Sequence, residues 1–351
     1  MKIAVSRKEL TDFVESVFLK LGVTQADAQT CAEAFVLQEM RGADTHGIRR
    51  LAANIIWLSK GMINARPERK VLRESGSTMV IDGDNGVGMP GCMEAMDRAI
   101  GKAREFGVGF GIVINSNHFL AAAPYCTRAA EAGVIGICAS NTMGSMGYPG
   151  THTRAISNSP VGFGIPTENE FSLVLDTALT TSMGKLGQWA RKNATIPDEL
   201  AGLNAEGKRS TDPKEVMTGT ALPIGGHKGA GLAILVEVLT GVLGGGAFLS
   251  DLLAPEARQQ KENAESQCCM AINIENFMPL AEFYQRMNVF MKDLKGRPLA
   301  PEASEILLPG ERAARSIREC EENGIMVDKA VQEEVIECTQ GLDLKYPEGW
   351  L

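Results

Sequence analysis

The feature that most constrains this fold is a change of hydrophobic rhythm near residue 75 of a 351-residue chain. Before that point, apolar residues recur at helical spacing, and Ser6 with Glu9 forms a capping box ahead of the first helix. After it, short β-branched runs alternate with helical segments, and the C-terminal residues are helical again. Strands that alternate with helices are typical of an α/β layer. The sequence therefore predicts an α/β domain inserted into a helical domain that both termini build.

Periodicity and capping residues set the predicted boundaries. The helical domain comprises residues 1–74 and 312–351, and the α/β domain comprises residues 75–311. The strand-like runs are Thr78–Ile81, Val108–Ile114, Val134–Ala139, Phe171–Leu175 and Met270–Ile274. The helix-like runs are Ser6–Leu21, Gln25–Arg41, Gly47–Leu58, Met93–Phe106, Ala121–Ala132, Glu311–Glu322 and Lys329–Cys338. An apolar run from Gly229 to Gly246 is too short for a membrane span and predicts a buried helix.

Composition and charge narrow the classes of protein that fit this chain. A net charge of −8 at pH 7 argues against a nucleic-acid or anionic-membrane partner. The N-terminal residues lack the apolar core of a signal peptide, and the eight cysteines form no C-x-x-C pair. We therefore expect reduced thiols and a cytoplasmic protein. The sequence has no H-x-x-x-H, H-E-x-x-H or zinc-spaced Cys/His cluster, so we expect no metal.

One glycine-rich segment imitates a dinucleotide-binding fingerprint. Residues 86–91 read GVGMPG, formally G-x-G-x-x-G, between an apolar run and a helix-like run. In a Rossmann unit the first glycine ends the strand directly, and an acid after the next strand holds the ribose. Here Gly83, Asp84 and Asn85 separate the strand from that glycine, and the next strand ends without an acid. Asp82 and Asp84 would also repel a phosphate. We interpret the segment as a structural turn that borders the site.

Two segments combine a histidine with groups suited to a small anionic substrate. His46 precedes Arg50 by four residues, which places both side chains on one helix face. Arginine binds a carboxylate through two hydrogen bonds, and a histidine can exchange a proton with a nearby oxygen. The alternative is that Thr45 caps the helix and the histidine is incidental. His118 follows Asn117 at the end of a strand, where α/β proteins place ligands. Asn117 or a backbone carbonyl would orient its ring; a structural role is the alternative.

Two further segments offer groups for phosphate or ribose oxygens. Residues 222–231 place His227 and Lys228 in a glycine-rich loop ahead of an apolar helix. The backbone amides at such a helix start attract anions. Residues 175–185 end a strand at Asp176 and continue with hydroxyl-bearing residues. Those hydroxyls would bind a cofactor or cap the following helix.

Taken in order, these segments resemble the malate/L-lactate dehydrogenase type II family of NAD(P)-dependent oxidoreductases. The similar stretches are DTHGIRRL, DGDNGVG, NSNHF, VLDTALT, LPIGGHKGAGLAILVEVL and LLPGER, within a similarity that spans residues 6 to about 330. The family includes ureidoglycolate and sulfolactate dehydrogenases, 2,3-diketo-L-gulonate reductase and reductases of cyclic imine carboxylates. The resemblance implies a non-Rossmann mixed sheet that binds an extended dinucleotide. It also implies a homodimer with sites near the subunit interface.

The resemblance assigns roles to individual residues by their position in these motifs. His118 and His46 become the acid/base candidates, and Arg50 binds the substrate carboxylate, with Thr45 and Asn117 beside it. The predicted cofactor-binding residues are Asp176, Thr177, Ala178, Thr180, Ser182, His227, Lys228, Pro309, Gly310 and Glu311. Thr180 and Ser182 are included for their hydroxyls, which follow the strand that ends at Asp176.

Three positions depart from the family pattern and leave the substrate open. Leu120 stands where many members have glycine, and Asn54 where several have tyrosine. Residues 157–160 read SNSP in place of the usual GTNP. All three positions would line or border the substrate pocket, so the identity of the substrate does not follow from the resemblance.

The predicted function is hydride transfer between nicotinamide and the α-carbon of a small 2-oxo or 2-hydroxy carboxylate. Reduction of a cyclic imino acid is the alternative on the same scaffold, and a non-catalytic nucleotide-binding protein is a second alternative. The cofactor is NAD(H) or NADP(H), and the acidic net charge slightly favours NAD(H). The predicted partners are the small carboxylate and a second copy of the chain.

Overall fold

The helices at both ends of the chain begin at the capping residues that the sequence predicts. A computed structural model of the protein describes residues 2–43, 45–181 and 183–350. The Ser6 side chain accepts a hydrogen bond from the Glu9 amide at 3.2 Å, and Thr24 and Asp328 cap their helices in the same way. The helices are α1 (Arg7–Lys20), α2 (Gln25–Met40), α3 (Leu51–Ser59), α4 (Gly88–Phe106), α5 (Ala123–Glu131), α6 (Leu186–Arg191), α7 (Pro213–Thr218), α8 (His227–Glu237), α9 (Leu280–Lys295), α10 (Glu311–Asn323) and α11 (Lys329–Cys338). The predicted terminal helices are confirmed.

A mixed seven-stranded sheet forms the centre of the fold. The strands are β1 (Lys2–Val5), β2 (Lys70–Ser75), β3 (Thr78–Asp82), β4 (Val108–Ser116), β5 (Val134–Ser140), β6 (Met146–Gly147), β7 (Arg154–Ile156), β8 (Val161–Ile165), β9 (Leu173–Thr177), β10 (Gly202–Leu203), β11 (Arg209–Ser210), β12 (Glu265–Asn273) and β13 (Ile325–Asp328). The central sheet has the order β2-β3-β4-β12-β5-β8-β9, and among its described strands only β3 and β4 pair in parallel. Rossmann sheets are mostly parallel, so the predicted non-Rossmann mixed sheet is confirmed.

Side chains alternate between the two faces of each strand, and helices pack against the apolar side chains on both faces of this sheet. Val113 and Cys269 pack against α4 and α5 on one face. Ile112 and Cys268 pack on the other face against α8 and the π-helical turn Val238–Val242 that follows it. A carboxylate at the end of β9 accepts the backbone amides of residues 122 and 123, beyond the end of β4. The segment that follows β4 therefore reaches the end of β9, and residues of both can share one site.

The two termini share a single hydrophobic cluster. β1 pairs antiparallel with β13, and apolar side chains of α1, α2, α3 and α11 fill the cluster. Arg69 connects this cluster to the sheet, because its guanidinium donates to both carboxylate oxygens of Asp27 at 2.8 and 2.9 Å and to Glu94 at 2.9 Å. The domain boundaries at residues 74 and 312 stay predictions, and β2, which belongs to the sheet, extends across the first of them.

The apolar run from Gly229 to Gly246 is not the buried helix that the sequence predicted. Ala233 and Val236 are buried against the sheet, but Leu232, Leu235 and Leu243 each keep 51–56% of their surface exposed. The run is apolar on all sides, whereas the sheet covers only one of them. Exposed apolar faces of this kind often mark interaction sites. No helix among the described residues is long and apolar enough to cross a membrane.

Candidate active site

The turn that imitates a dinucleotide fingerprint supports the strand end that carries His118. Helix α4 begins at Gly88, where a Cβ atom would lie 2.0 Å from the carbonyl oxygen of Asn117 and 2.6 Å from that of His118. The Asn117 side-chain amide also donates to the Gly86 carbonyl at 2.8 Å. Glycine is needed at position 88 because two backbone segments pass in contact. These contacts give Gly88 a structural role, although residues 88–91 form the first turn of α4 rather than a loop. That the segment does not bind the cofactor stays a prediction.

The acids of this turn are paired with a lysine of the same chain. The Lys261 ammonium group lies 2.8 Å from a carboxylate oxygen of Asp82 and 3.1 Å from one of Asp84. Burial alone would raise the pKa of Asp82, but hydrogen bonds from Lys261, from the Asp84 amide and from Asn115 lower it. The turn therefore carries compensated negative charge, which does not suit a phosphate.

A backbone amide in a strained turn orients the ring of His118. Leu120 has a φ of +75°, a conformation that favours glycine, and its N–H donates to His118 Nδ1 at 3.2 Å. The predicted partner of this ring, Asn117 or a carbonyl oxygen, does not fill this role. A donor at Nδ1 places the proton of the neutral ring on Nε2. Burial, followed by the charges of Arg50 and His46, lowers the pKa of His118 well below 6.5, so the ring is neutral at pH 7.

His46 faces His118. Together with Arg50, Arg258 and Glu265, these residues form the cluster that we call the pocket. The two rings are nearly parallel, with 13° between their planes and 5.8 Å between their centroids. The Thr45 hydroxyl lies 2.8 Å from His46 Nδ1 and can donate or accept, so it tolerates either tautomer and the charged ring. Burial lowers the pKa of His46, while Asp176 opposes that shift and Arg50 adds to it. The structure thus brings together His46, Arg50 and His118.

Arg50 and Glu265 each place an unpaired polar atom in the pocket. Glu265 is partly buried, and burial raises its pKa to about 7 against the opposing charges of Arg258 and Arg50. Within the described chain, Arg50 Nε and Glu265 Oε2 are buried without a hydrogen-bond partner. The Arg50 guanidinium also lies over the Trp57 ring, 5.2 Å from its centroid. Unpartnered buried polar atoms are costly, so their presence here indicates a polar ligand.

Asn117 is occupied by the protein rather than by the ring of His118. Its side-chain nitrogen donates to the turn at Asn85 and Gly86, and its side-chain oxygen accepts from the Arg258 guanidinium. Asn117 therefore positions Arg258, a residue that the sequence analysis missed. No motif surrounds Arg258 or Glu265, and only the pairing of β12 with β4 brings them to the pocket.

Asp176 holds the segment that follows β4. Its carboxylate accepts the amides of Ala122 at 3.2 Å and Ala123 at 3.1 Å and the side-chain amide of Gln38 at 3.2 Å. The carboxylate is therefore occupied by protein donors. The next residue, Thr177, donates from its hydroxyl to the carbonyl of Ala178 at 3.1 Å. The cofactor roles proposed for these three residues stay predictions.

The predicted cofactor segments around Thr180 and Lys228 lie beside a common groove. Thr180 forms a β-bridge with Pro223, and the chain then turns through Gly225 and Gly226, both at positive φ, into α8. A groove of about 640 Å³ borders this turn, lined in part by Thr181, Gly225, Gly226 and His227. The side chains of His227 and Lys228 are exposed at the helix start, where backbone amides attract anions. This donor set fits the diphosphate of a nicotinamide dinucleotide.

The remaining predicted cofactor residues lie against β9. The Pro309 carbonyl accepts the Val174 amide at 3.2 Å, and Gly310 has a φ of +92°. The Glu311 carboxylate is held by Lys295 at 2.5 and 2.6 Å and by Arg315 at 2.7 Å, so its charge is already paired. Ser182, the other predicted residue, lies outside the described residues.

Two of the three departures from the family pattern contact the pocket residues. Leu120 holds His118 as described, and Asn54 donates to the Arg50 carbonyl at 3.2 Å from one helical turn further on. The third departure is internally satisfied, because the buried hydroxyls of Ser157 and Ser159 hydrogen-bond to each other at 2.8 Å.

The site combines a guanidinium that can bind a carboxylate with imidazoles that can donate to an adjacent oxygen or exchange a proton with it. This combination suits the oxidation and reduction of 2-hydroxy acids. This chemistry defines the class of protein as an oxidoreductase of the hydroxyacid dehydrogenase type. The chain belongs to the malate/L-lactate dehydrogenase family, whose model matches residues 5–336. The predicted family and enzyme class are therefore confirmed.

Individual relatives match along almost their entire length. The chain is 33% identical to malate dehydrogenase of Pyrococcus abyssi, over 98% of this chain and 96% of the relative. It is 34% identical to L-sulfolactate dehydrogenase of Methanocaldococcus jannaschii, over 93% and 94% of the two chains. The crystal structure of malate dehydrogenase from Entamoeba histolytica superimposes with a TM-score of 0.93 at 28% identity, covering 99% and 100% of the two chains. Dehydrogenases of this family imply a nicotinamide cofactor and a small carboxylate substrate.

Proposed function

We propose that the protein interconverts a 2-oxo and a 2-hydroxy carboxylate that carry a second anionic group, as a malate-type or sulfolactate-type dehydrogenase. The observation that carries this proposal is the pair of arginines, Arg50 and Arg258, whose charges both act on Glu265. Arg50 would bind the carboxylate next to the reacting carbon, and Arg258 would bind the second anionic group. The names of the relatives described above agree with a substrate of this charge.

The protonation of Glu265 decides how well a dianion fits. With a pKa raised by burial to about 7, Glu265 is mostly neutral in mildly acidic solution, and two arginine charges then face the substrate. A bound dianion cancels the arginine charges that hold this pKa down, so substrate binding favours the neutral acid further. A monoanion would leave one buried guanidinium uncompensated, which is unfavourable in an enclosed pocket.

The two histidines have different parts in the proton transfer. Because Leu120 donates to Nδ1 of His118, this ring presents Nε2–H and would stabilise the developing negative charge on the substrate oxygen. The Thr45 hydroxyl accepts either protonation state of His46, so His46 would carry the proton. Binding of the substrate carboxylate at Arg50 removes a charge that lowers the pKa of His46, which favours its protonation before reduction. When bound, the nicotinamide supplies or accepts the hydride.

A substrate panel tests the proposal. We expect oxaloacetate and sulfopyruvate to be reduced with a kcat/KM at least ~100-fold higher than that of pyruvate, because a buried charge pair contributes a few kcal/mol. In Arg258→Met this ratio should collapse towards one while pyruvate turnover persists. Equal use of pyruvate and oxaloacetate by the unmodified enzyme would contradict the proposed dianionic substrate. Turnover of cyclic imines alone would instead support the alternative activity, which the hydroxyacid dehydrogenase names of the relatives do not favour.

We propose NAD(H) rather than NADP(H) as the cofactor. Glu199 lines the groove beside α8, and its carboxylate would repel a ribose 2′-phosphate. Arg209, which also lines the groove, donates to the Asp198 carbonyl and is thus directed to the protein. A competition titration with both cofactors tests this choice. Preferential binding of NADPH would contradict it, and Glu199→Gln should narrow the preference for NADH.

We propose a homodimer that covers the exposed side of α8. Leu232, Leu235 and Leu243 form an apolar face next to the groove at the start of the same helix. A second copy on this face would lie near the cofactor site, as the family resemblance implies. Leu235→Glu should shift the sedimentation coefficient to that of a monomer, whereas Val71→Glu, on the exposed strand β2, should not. A monomeric unmodified protein would contradict the proposal.

We also propose a reducing compartment such as the cytoplasm. All eight cysteines are free in the structure, and six of them are buried. Thiols in this number without a disulfide are typical of cytosolic proteins.

A further inference from the structure

Three buried sulfur atoms meet on the face of the sheet that α4 covers. Cys92 on α4, Cys138 on β5 and Cys269 on β12 have no exposed surface. Their Sγ atoms are separated by 3.6 Å (Cys92 to Cys138), 3.7 Å (Cys92 to Cys269) and 3.8 Å (Cys138 to Cys269). The residues are 46 to 177 positions apart in sequence, so no local spacing motif reveals the cluster. Neither the dehydrogenase chemistry nor the cofactor groove uses these side chains.

The triangle of sulfur atoms has the size of a three-coordinate metal site. A point equidistant from three atoms with these separations lies about 2.1 Å from each of them. Metal–thiolate bonds of a d¹⁰ ion are about 2.3 Å long, so an ion fits in or just above the plane with shifts of a few tenths of an ångström. Thiolates are soft ligands, which select Cu(I), zinc or iron–sulfur clusters over hard cations.

The surroundings of the triangle favour a singly charged ion without a further ligand. In the described chain, no histidine nitrogen or carboxylate oxygen joins this group of donor atoms, all of which lie within 4.8 Å of one another. Tyr125 is buried in the same core, but its hydroxyl already donates to the Phe119 carbonyl. Structural zinc takes four ligands in a tetrahedron, one more than this core supplies, and its two charges need two buried thiolates to balance them. Cu(I) accepts three sulfur ligands, and the loss of a single thiol proton balances its one charge, so that the buried site carries no net charge.

We propose that Cys92, Cys138 and Cys269 form a Cu(I)-binding site that ties α4 to strands β5 and β12. Binding forms copper–sulfur bonds and releases at least one thiol proton to the buffer, and no electron is transferred. The site lies within the core of the sheet, on the face opposite α8, so occupancy should stabilise the fold while the nicotinamide groove stays open.

Copper loading under anaerobic conditions tests this site. The full-length protein is incubated with one equivalent of Cu(I), either folded or during refolding from urea, because the site is enclosed; it is then desalted against a Cu(I) chelator. We expect one copper per chain, a sulfur-to-copper charge-transfer band and a higher thermal midpoint, since a ligand of the native state stabilises it. Cys269→Ala and Cys92→Ala should retain at least ~10-fold less copper, because two sulfur ligands remain.

Cys268→Ala is the matched control, because Cys268 is the adjacent residue of β12 and packs on the opposite face of the sheet. This variant should bind copper as the unmodified protein does. Circular dichroism and dehydrogenase activity of the metal-free variants establish that each is folded. Failure to retain copper in both the folded and the refolded arm would show that the thiols are only packed together. Equal copper in Cys269→Ala, or uptake of Zn²⁺ in place of Cu(I), would also overturn the assignment.

Discussion

The proposed substrate pocket and the proposed cofactor groove differ in how much of their chemistry the protein alone supplies. In the pocket, His118 and Glu265 are partly buried, and the orienting contacts, such as Leu120 N–H to His118 Nδ1, are already in place. Along the groove, His227 and Lys228 are exposed, and two glycines form the turn between them and the preceding strand segment. The side chains of the pocket are thus preorganised, whereas the groove presents backbone amides and exposed charged side chains.

This difference predicts unequal sensitivity to substitution. An enclosed charge interacts strongly because water does not screen it, whereas an exposed charge contributes little and depends on salt. Substitutions in the pocket should therefore change kcat or the KM of the substrate by large factors. Substitutions in the groove should change only the KM of the cofactor, and by small factors.

The largest expected effect is that of His46→Gln. Loss of the proton carrier should lower kcat by a factor of roughly 10²–10⁴. Burial holds the pKa of His46 below 6.5 in the free enzyme. Reduction needs the protonated ring, so kcat/KM for reduction should fall as pH rises through this pKa, and kcat/KM for oxidation should rise. Steady-state rates in both directions across pH 5–9 measure this, and His46→Gln should lose both slopes.

His118→Gln is the companion variant, because the glutamine amide can still donate to the substrate oxygen. We expect a smaller loss of kcat with the pH slopes retained. Glu265→Gln identifies any slope near pH 7 that belongs to Glu265, whose pKa is about 7. If His118→Gln abolished the slopes and His46→Gln kept them, the two roles would be reversed. Unchanged NADH affinity in each variant confirms that the groove is intact.

Arg50→Lys should raise the KM of the substrate by roughly 10–100-fold, since hydrogen bonds to charged groups contribute about 1.5–3 kcal/mol. Lysine keeps the charge but cannot form two parallel hydrogen bonds to a carboxylate. Initial rates with varied substrate measure the effect, and Arg73→Lys on the exposed strand β2 is the control. An unchanged KM in Arg50→Lys would remove Arg50 from the substrate pocket.

Gly88→Ala tests the close packing of α4 against the backbone of Asn117 and His118. The added Cβ would lie 2.0 Å from the Asn117 carbonyl oxygen, so we expect a loss of about 1–3 kcal/mol in the free energy of unfolding. Gly101→Ala, in the same helix, meets nothing within 4 Å and should be neutral or stabilise by up to about 1 kcal/mol. Urea unfolding of both variants measures these changes. Lost NADH affinity with unchanged stability in Gly88→Ala would mean that this turn binds the cofactor after all.

Local sequence patterns predicted the elements whose signals lie within one segment. The caps at Ser6, Thr24 and Asp328 fixed helix starts because capping depends only on neighbouring residues. Strand β2 was missed because all of its residues are exposed and no apolar alternation marks it. Strand β8 was missed because Gly162 and Gly164 interrupt its apolar run; a Cβ at 164 would lie 2.0 Å from the Cys126 carbonyl of α5.

The residues of the candidate site likewise fall into two groups: those that local motifs predict and those that only the fold brings together. His46, Arg50 and His118 belong to compact motifs, and the fold brings them into one pocket. Arg258 and Glu265 lie near the start of β12, and their place in the pocket depends on antiparallel pairing with β4, some 150 residues earlier. The run after Gly229 indicated an apolar helix, but which of its faces is covered depends on how the sheet packs against it.

The smallest expected effect is that of Lys228→Gln in the groove. An exposed lysine near a helix start adds only a screened attraction for the cofactor diphosphate, so the KM of NADH should rise about two- to fivefold. The rise should shrink as ionic strength increases from 0.05 to about 0.5 M, because salt screens exposed charges. Lys214→Gln, on the exposed start of α7, is the control. If Lys228→Gln raised the KM of the substrate instead, the pocket and the groove would not be separable, since a charge at α8 would then act on the reacting carboxylate.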